Sequence, residues 1–228
     1  MFHVKHFEQN PDIYWNIIDF LLKENQKTNL TGIKDRQEAY LKHIEDSIVV
    51  SNNLSTVCPH YQHILDLGTG AGFPGLIIAL ENQRKQVYLL DSINKKIEFI
   101  KRTQVKFNIK NITPVCDRAE NYALIKPSFF DVVIARAVAK LHILAEYAAP
   151  FLQKNALFVA LKNKDTKEEL QESLSTIKFL GFEHIKNIDY SLNKKPRFIL
   201  IFKKTQEPKI ILPRQIGKAK KKPLRGVV

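Results

Sequence analysis

The feature that most constrains this chain is a glycine-rich stretch that follows an apolar run, His63-Ile-Leu-Asp-Leu-Gly-Thr-Gly-Ala-Gly-Phe-Pro-Gly75. The apolar run carries one acid, Asp66, and a second apolar run with helical character begins after Pro74. A strand–loop–helix turn of this kind presents unpaired backbone N–H groups at a helix N-terminus, where they can hold an anionic group. The stretch therefore predicts a nucleotide-like cofactor at the first turn of a doubly wound α/β sheet.

Two classes of cofactor fit this turn. Residues 70–75 satisfy the dinucleotide pattern G-x-G-x-x-G, and Asp91 lies at about the distance at which that pattern expects an acid. Residues 66–72 also read D-x-G-x-G-x-G, the first motif of methyltransferases that use S-adenosylmethionine (AdoMet). The Asp66 carboxylate can order the loop and approach the cofactor's ammonium, whereas a dinucleotide has no cationic group there. The loop favours AdoMet over NAD(P), and it holds more glycines than a turn without a ligand needs.

Strands and helices are predicted to alternate from about residue 62 onward. The strand candidates are His63–Leu67, Gln86–Asp91, Asn111–Cys116, Asp131–Ala135, Ala156–Leu161, Phe182–Asp189 and Arg197–Phe202. Because helical stretches separate the first five, they predict a parallel sheet covered on both faces. The last two are joined by Ser191–Pro196, which is too short for a crossover helix and predicts an antiparallel hairpin. A seven-stranded sheet ending in that hairpin is the AdoMet-dependent methyltransferase (Rossmann-like) variant of the doubly wound fold.

The chain is expected to have three divisions. Residues 1–60 form an N-terminal helical cap, in which Asn10 and Asp35 precede helical stretches and can cap them. Residues 61–205 form the methyltransferase domain. Residues 206–228 form a basic tail, which either packs on that single domain or extends from it.

The charge of the chain is concentrated at its C-terminal end. The chain has 228 residues and a net charge of +13, and the segment from Lys203 onward has nine Lys or Arg and one acid, hence +8, which leaves +5 for the rest. Such a segment indicates a polyanionic partner, with nucleic acid as the leading candidate, although it could be a solvated tail that only aids solubility. We predict that it serves RNA and not the cofactor, and that residues 218–225 can be removed without touching the sheet.

Other classes of protein are disfavoured by composition. The chain has no apolar run long enough to span a membrane, and its N-terminus lacks the apolar core of a signal peptide. Its two cysteines, Cys58 and Cys116, have no metal-binding spacing and are expected to be reduced thiols. We expect a cytoplasmic monomer without a metal ion or a membrane partner.

Ligands in this fold bind beyond the carboxyl ends of the strands. The first strand ends at Gly68 and Gly70, and the second at Asp91, whose carboxylate can accept hydrogen bonds from both ribose hydroxyls or cap the next helix. The third ends at Asp117–Glu120, which can flank an adenine ring or hold a surface pair between Arg118 and Glu120.

The fourth and fifth strand ends carry cations. Arg136 follows an apolar strand and can hold the cofactor carboxylate or an RNA phosphate in a forked contact. Lys162 begins a cationic rim, Lys162-Asn-Lys164, after the fifth strand.

Two motifs of nucleic-acid methylation are missing from the sequence. The fourth strand end has no Asn/Asp-Pro-Pro-Tyr/Phe, the motif for methylation of exocyclic amines, and no Pro-Cys or Thr-Cys pair supplies a nucleophile for pyrimidine C5. A ring nitrogen with a free lone pair, such as guanine N7, needs neither device. Catalysis would then depend on alignment and on the exclusion of water.

Motifs along nearly the whole chain resemble those of one family, the bacterial small-subunit rRNA guanine-N7 methyltransferases, also called the methyltransferase G or glucose-inhibited division protein B family. The matching residues are Asn25…Asn29-Leu-Thr31, His43…Asp46-Ser47, Asp66–Gly75, Leu90-Asp-Ser92 with Lys95-Lys96, Arg118-Ala-Glu120, Ala135-Arg-Ala137 and Pro213-Arg214…Lys222-Pro-Leu224. The resemblance implies a cytoplasmic enzyme that methylates N7 of one guanosine in 16S rRNA, free or in a small-subunit ribosomal particle.

The resemblance also implies roles for single residues. The residues expected at AdoMet are Gly68, Gly70, Phe73, Asp91 at the ribose, Ala119, Glu120 and Arg136, of which Arg136 also positions the reactants. The residues expected at RNA follow instead from the cationic rim and the basic tail, and they are Lys162, Arg214, Lys218, Lys220, Lys221, Lys222 and Arg225.

Two other classes of function stay open at this point. An NAD(P)-dependent oxidoreductase would bind nicotinamide and have no affinity for AdoMet. A non-catalytic RNA-binding or ribosome-binding protein on a methyltransferase scaffold would bind RNA and leave it unmodified.

Overall fold

A computed structural model of the chain describes residues 11–136, 139–163 and 166–224. Its centre is a seven-stranded sheet with the order β3-β2-β1-β4-β5-β7-β6. The strands are β1 (His63–Leu67), β2 (Gln86–Asp91), β3 (Ile112–Cys116), β4 (Phe130–Arg136), β5 (Leu152–Lys162), β6 (Phe182–Leu192) and β7 (Lys195–Lys204). Only β7 is antiparallel to its neighbours β5 and β6. The sheet confirms the predicted fold class and its closing hairpin.

The connection predicted over Ser191–Pro196 is wrong in length. Ser191 pairs with Pro196 in the ladder, and only Asn193 and Lys194 connect the two strands. Both have positive φ, 48° and 61°, as in a type I′ turn, whose twist matches that of a hairpin. The ladder with β5 begins only at Phe198, so the polar ends of the hairpin form a two-stranded ribbon beyond the core. Because these strand ends are polar, their composition resembles that of a loop, and the sequence pattern predicted too long a connection.

Helices cover both faces of the sheet. They are α1 (Pro11–Thr28), α2 (Arg36–Ala39), a π-helical turn (Tyr40–Glu45), α3 (Asp46–Val57), α4 (Gly75–Glu81), α5 (Asn94–Lys106), α6 (Ala119–Ile125), α7 (Leu141–Ala148), a 3-10 turn (Ala149–Phe151), α8 (Thr166–Phe179) and α9 (Lys218–Lys221). Asp35 caps α2 as predicted, because its side chain accepts a hydrogen bond from the Glu38 N–H at 2.7 Å. Asn10 lies outside the described residues.

The N-terminal helices share a hydrophobic core with the sheet. Ile17, Leu21 and Ile44 are fully buried, and they belong to the same cluster as Ile64 of β1 and Val132 of β4. Burial of each such side chain contributes about 1.5–3 kcal/mol, so these helices are integral to the folded unit. Helices α6, α7 and α8 pack in a second cluster on the other face.

The basic tail packs on the helices of that second face. Ile210, Leu212 and Leu224 contact its core, and the Thr176 hydroxyl of α8 donates to the Leu224 carbonyl oxygen at 3.0 Å. None of residues 218–224 belongs to a strand, and Leu224 packs against the cluster that contains the helices of this face. That residues 218–225 can be removed without touching the sheet stays a prediction.

Within the three described ranges, no helix has the length and apolarity needed to cross a membrane.

Candidate cofactor and substrate site

Asp66 fixes the glycine-rich loop to the helix that follows it. Its Oδ2 accepts hydrogen bonds from the Gly75 N–H at 2.8 Å and the Thr69 hydroxyl at 2.7 Å. Burial raises the pKa of the Asp66 carboxyl to about 6. Its Oδ1 has no hydrogen-bond partner among the described residues. The carboxylate therefore orders the loop, as predicted, and keeps one acceptor free.

The glycines of the loop are required for two different reasons. Gly68, Gly70 and Gly72 have positive φ values of 74°, 63° and 99°, which L side chains rarely adopt. A Cβ on Gly72 would lie 2.4 Å from Leu76 Cδ1, and one on Gly75 would lie 2.1 Å from Leu89 Cδ2. By contrast, the space around Gly70 is open within 4 Å. The loop is thus packed on the protein side and open at Gly70.

Asp91 joins the loop to the end of β2. Its Oδ2 accepts a hydrogen bond from the Gly70 N–H at 3.0 Å, and its Oδ1 accepts one from the Ile93 N–H at 2.9 Å. The Lys96 ammonium lies 3.5 Å from Oδ2. The N-cap position of α5 is occupied by Ile93, so Asp91 is not the cap of that helix.

A cavity of about 360 Å³ lies beyond the ends of β1, β2 and β3, and we call it the strand-end cavity. Five predicted cofactor residues line it, namely Gly68, Asp91, Ala119, Glu120 and Arg136. Two others, Gly70 and Phe73, do not. Gly70 contributes its N–H to Asp91, and Phe73 is 2% exposed beneath the loop.

A second cavity of about 650 Å³ adjoins the first, and we call it the hairpin cavity. It lies between the π-helical turn, the ends of β4 and β5, the start of α8 and the β6–β7 hairpin. Arg136 lines both cavities. The sequence predicted Arg136 but not the second cavity, because its walls are distant in the chain.

Arg136 is held by the N-terminal helices. Its Nη1 donates to the Lys42 carbonyl oxygen at 3.1 Å and to Asp46 Oδ2 at 3.2 Å. Asp46 is 5% exposed, and its Oδ1 accepts a hydrogen bond from the Tyr190 hydroxyl at 2.7 Å, with Arg197 Nε 3.8 Å away. Burial and the neighbouring Asp46 raise the pKa of Tyr190 well above its usual value. One carboxylate therefore connects the helical cap, β4 and the hairpin.

His43 also lines the hairpin cavity. Its ring stacks on Phe73 with the centroids 4.7 Å apart, and its Nε2 lies 3.4 Å from the Thr31 hydroxyl. Burial, together with the positive charges of Arg136 and Lys42, lowers the pKa of His43 to about 3. The imidazole is therefore neutral at neutral pH, and its Nδ1 has no partner in the described part of the chain.

The loop that holds Thr31 is ordered by Asn25. The Asn25 Oδ1 accepts hydrogen bonds from the N–H groups of Leu30 and Thr31 at 2.6 and 2.9 Å, and its Nδ2 donates to the Thr31 carbonyl oxygen at 2.9 Å. This network gives a structural reason for the Asn-Leu-Thr motif, which was recognised only by resemblance.

The residues predicted at RNA divide into two groups. Lys162 donates to Glu169 at 2.7 Å, and Arg214 forms a forked pair with buried Glu146 at 2.7 and 2.6 Å. Both cations are therefore engaged within the protein. Four predicted lysines of the tail are exposed, Lys218, Lys220, Lys221 and Lys222, whereas Arg225 lies outside the described residues. Lys220 also lines the strand-end cavity, and the expectation that the tail serves RNA and not the cofactor stays a prediction.

The sequence patterns predicted no role for His43, Asp46, Tyr190 or Arg197. His43 and Asp46 could have been found from the sequence, since they are three positions apart on one helical face. Both also occur in the motif His43…Asp46-Ser47. Tyr190 and Arg197 lie on the hairpin that was predicted to be partly loop.

The residues of the strand-end cavity fit AdoMet. The Asp91 carboxylate can accept hydrogen bonds from ribose hydroxyls, and the Arg136 guanidinium can pair with the carboxylate of the methionine moiety. Beneath the loop, outside the cavity lining, Asp66 Oδ1 is a buried acceptor without a partner among the described residues. The described residues contain no group of three or more His, Cys, Asp or Glu arranged to hold a metal ion.

Replacement of Asp91 by alanine should weaken AdoMet binding at least about tenfold. The ribose hydroxyls and the Gly70 N–H would lose their acceptor, at roughly 1–3 kcal/mol each, and about 1.4 kcal/mol is one decade of affinity. Titration calorimetry measures the loss, and Asp12→Ala, an exposed substitution on α1, is the control. Unchanged affinity in a folded Asp91→Ala variant would exclude Asp91 from the cofactor site.

Solved structures show the same fold at low sequence identity. M. jannaschii TYW2 in complex with AdoMet matches with a TM-score of 0.55 and 13% identity, over 69% of this chain and 74% of that one. The YcgJ protein of Bacillus subtilis matches with a TM-score of 0.56 and 12% identity, over 72% of this chain and 100% of that one. The fold is therefore shared with an AdoMet-binding protein.

The sequence identifies a narrower group. A family model described as rRNA small subunit methyltransferase G matches residues 13–197. Ribosomal RNA small subunit methyltransferase G of Bacillus subtilis (strain 168) is 36% identical over 217 residues, which cover 91% of this chain and 88% of the relative. The protein of that name from Lactococcus lactis subsp. cremoris (strain MG1363) is 35% identical over 228 residues, which cover 98% and 95%. The chain, with its methyltransferase sheet and glycine-rich cofactor loop, belongs to the rRNA small subunit methyltransferase G family.

Proposed function

We propose that this chain transfers the methyl group of AdoMet to N7 of a guanosine in 16S rRNA. The observation that carries the proposal is the place of Arg136, which lines both the strand-end cavity and the larger hairpin cavity beside it. One cavity fits the cofactor, and the other leaves room for a base next to it. Membership of the family supports ribosomal RNA of the small subunit as the substrate.

The chemistry that AdoMet supplies when bound is an electrophilic methyl group on a sulfonium. Guanine N7 has a free lone pair and no proton to remove, so the protein needs neither a general base nor a nucleophile. Neither Cys58 nor Cys116 lines the strand-end or the hairpin cavity, and His43 is neutral. The protein contributes alignment of the two reactants and exclusion of water, which are large effects for a transfer of this kind.

We assign the hairpin cavity to the target nucleoside. Its cations Lys42, Lys140 and Arg197 can contact phosphates on either side of the base. Glu168 and Glu172 lie one turn apart on α8, line the same cavity and are exposed. Their carboxylates can accept hydrogen bonds from N1–H and the N2 amino group of guanine, which adenine lacks. The N7 edge would then point away from α8.

The product RNA tests the proposal. N7-methylguanosine carries a positive charge in its ring, so borohydride followed by aniline should cut the methylated 16S rRNA at one site. Mass mapping of 16S rRNA from cells with and without the protein locates the same nucleotide. Cys58→Ser and Cys116→Ser are the matched controls, and both should retain methyl transfer because neither thiol takes part.

Three results would overturn the proposal. They are the formation of 5-methylcytidine, a thiol-dependent adduct with 5-fluoropyrimidine RNA, and binding of RNA without any modification. The last result would indicate a non-catalytic RNA-binding protein.

The proposal also covers the cellular location of the enzyme, its oligomeric state and the form of its rRNA substrate. We propose that it acts in the cytoplasm as a monomer, because residues of one chain supply the walls of both cavities. Methylation of naked 16S rRNA compared with small-subunit particles, and sedimentation of the free protein, test these points.

A further inference from the structure

The C-terminal segment from Pro213 to Lys222 is fixed to the body by two buried carboxylates. Glu120, at the start of α6, accepts a hydrogen bond from the Gly217 N–H at 2.8 Å. Glu146 of α7 is 4% exposed and accepts both forked hydrogen bonds of Arg214. Arg214 also donates to the Lys222 carbonyl oxygen at 3.0 Å, which closes the segment on itself. The segment therefore has one defined position on α6 and α7.

This position brings one lysine of the segment to the strand-end cavity. Lys220 lines that cavity together with Glu120 and Tyr147. Ala219, its neighbour in α9, is 2% exposed, so the short helix is anchored by its apolar side. The other lysines of the segment are exposed and do not line the cavity; they are Lys218, Lys221 and Lys222.

We propose that this segment is a wall of the cofactor site, that Lys220 contacts the adenosyl part of bound AdoMet, and that the segment couples cofactor binding to RNA binding. The inference rests on the proposed function. Ala119 and Glu120 follow β3, the strand end at which this fold places adenine, and Lys220 lies beside them. A lysine ammonium has three donors, and the adenine ring nitrogens are acceptors.

The coupling follows from the arrangement of the lysines. RNA phosphates that contact Lys218, Lys221 or Lys222 bind the same short segment whose Lys220 faces the cavity. A ligand that stabilises the segment in this position therefore favours binding of the other ligand, and the factor is the same in both directions. The tail thus serves RNA and the cofactor together.

The first test is a titration of the full chain with S-adenosylhomocysteine. Lys220→Ala should bind it about five- to tenfold more weakly than the unsubstituted chain, as expected for one lost contact. Lys221→Ala, the next lysine of the same helix, should bind it as the unsubstituted chain does. The same difference should appear with 5′-methylthioadenosine, which lacks the amino-acid part. Equal affinities of Lys220→Ala and Lys221→Ala for either probe would overturn the cofactor contact.

The second test measures coupling by fluorescence anisotropy on a 16S rRNA transcript. With saturating S-adenosylhomocysteine, the unsubstituted chain should bind the transcript about fivefold more tightly, the lower end of typical couplings. Lys220→Ala should lose this difference. Lys221→Ala should keep it while its salt slope falls by about one unit. An RNA affinity that is the same with and without the probe would overturn the coupling.

The two proposals fail in different ways. If the unsubstituted chain does not bind S-adenosylhomocysteine, the proposed function is wrong. If it binds and Lys220→Ala matches Lys221→Ala, only the role of the segment is wrong.

Discussion

Arg136→Ala should lower the single-turnover rate of methyl transfer by about 100-fold or more. The guanidinium lies where the two cavities meet, so its loss removes a cation that can hold the cofactor carboxylate or an RNA phosphate. A misplacement of the reactants by about 1 Å is enough to cost two decades in rate. Radiolabelled methyl transfer to 16S rRNA at saturating concentrations of both substrates measures the effect.

The matched control for this variant is Arg102→Ala. Arg102 forms an exposed ion pair with Glu24 and lines neither cavity, and exposed pairs of this kind contribute about 0–1 kcal/mol. It should retain full activity. If the rate of folded Arg136→Ala were within a factor of about two of this control, Arg136 would have no part in the reaction. Such a rate would show that the reactants are still aligned without its guanidinium.

Arg136→Lys separates charge from geometry. Lysine keeps the positive charge, but its ammonium lacks the planar guanidinium that can make a forked contact with a carboxylate or phosphate. Since the Arg136 guanidinium is held by the Lys42 carbonyl oxygen and Asp46, we expect Arg136→Lys to recover only part of the rate. Complete recovery would show that charge alone matters at this position.

Arg214→Ala should destabilise the fold by about 3–5 kcal/mol, the cost of leaving a buried charge without its partner. Glu146 is 4% exposed, and Arg214 supplies two charge-assisted hydrogen bonds to it at 2.7 and 2.6 Å. The substitution also releases the Lys222 carbonyl oxygen. The midpoint and slope of urea unfolding give the free energy.

Two further variants show whether the Arg214–Glu146 pair is the cause of this loss of stability. Lys218→Ala changes an exposed lysine of the same segment and should alter stability by no more than about 0.5 kcal/mol. Arg214→Leu combined with Glu146→Leu removes both charges, so it should be more stable than Arg214→Ala alone. If Arg214→Ala unfolded at the same urea concentration as Lys218→Ala, the pair would not be what fixes the tail.

The arrangement of the sheet could be predicted from the sequence because its determinants are local. β1 and β2 have the predicted bounds, and β3 to β5 differ from prediction mainly at their ends. Each of these determinants involves only a few residues. They are an apolar run of strand length, a glycine with positive φ and a connection too short for a helix. The loop from Asp66 to Gly75 is largely such a unit, since Asp66 accepts hydrogen bonds from Thr69 and Gly75 within it.

Which charged residues are available to a ligand depends on contacts that form only in the folded protein. Arg214 and Lys162 looked like free cations in the sequence, but Glu146 and Glu169 pair with them across 68 and 7 positions. Lys220 looked like its neighbouring lysines until the buried Ala219 and the Glu120–Gly217 hydrogen bond set its direction.

The parallel sheet, its reversed last strand, the cofactor loop and the family could be predicted from the sequence. The sequence did not determine the hairpin cavity, whose walls come from the helical cap, two strand ends, α8 and the β6–β7 hairpin. Asp46 contacts Arg136 from 90 positions away and Tyr190 from 144. Local patterns carry no information about such pairs, because the free energy that brings them together comes from packing of the whole domain around one sheet.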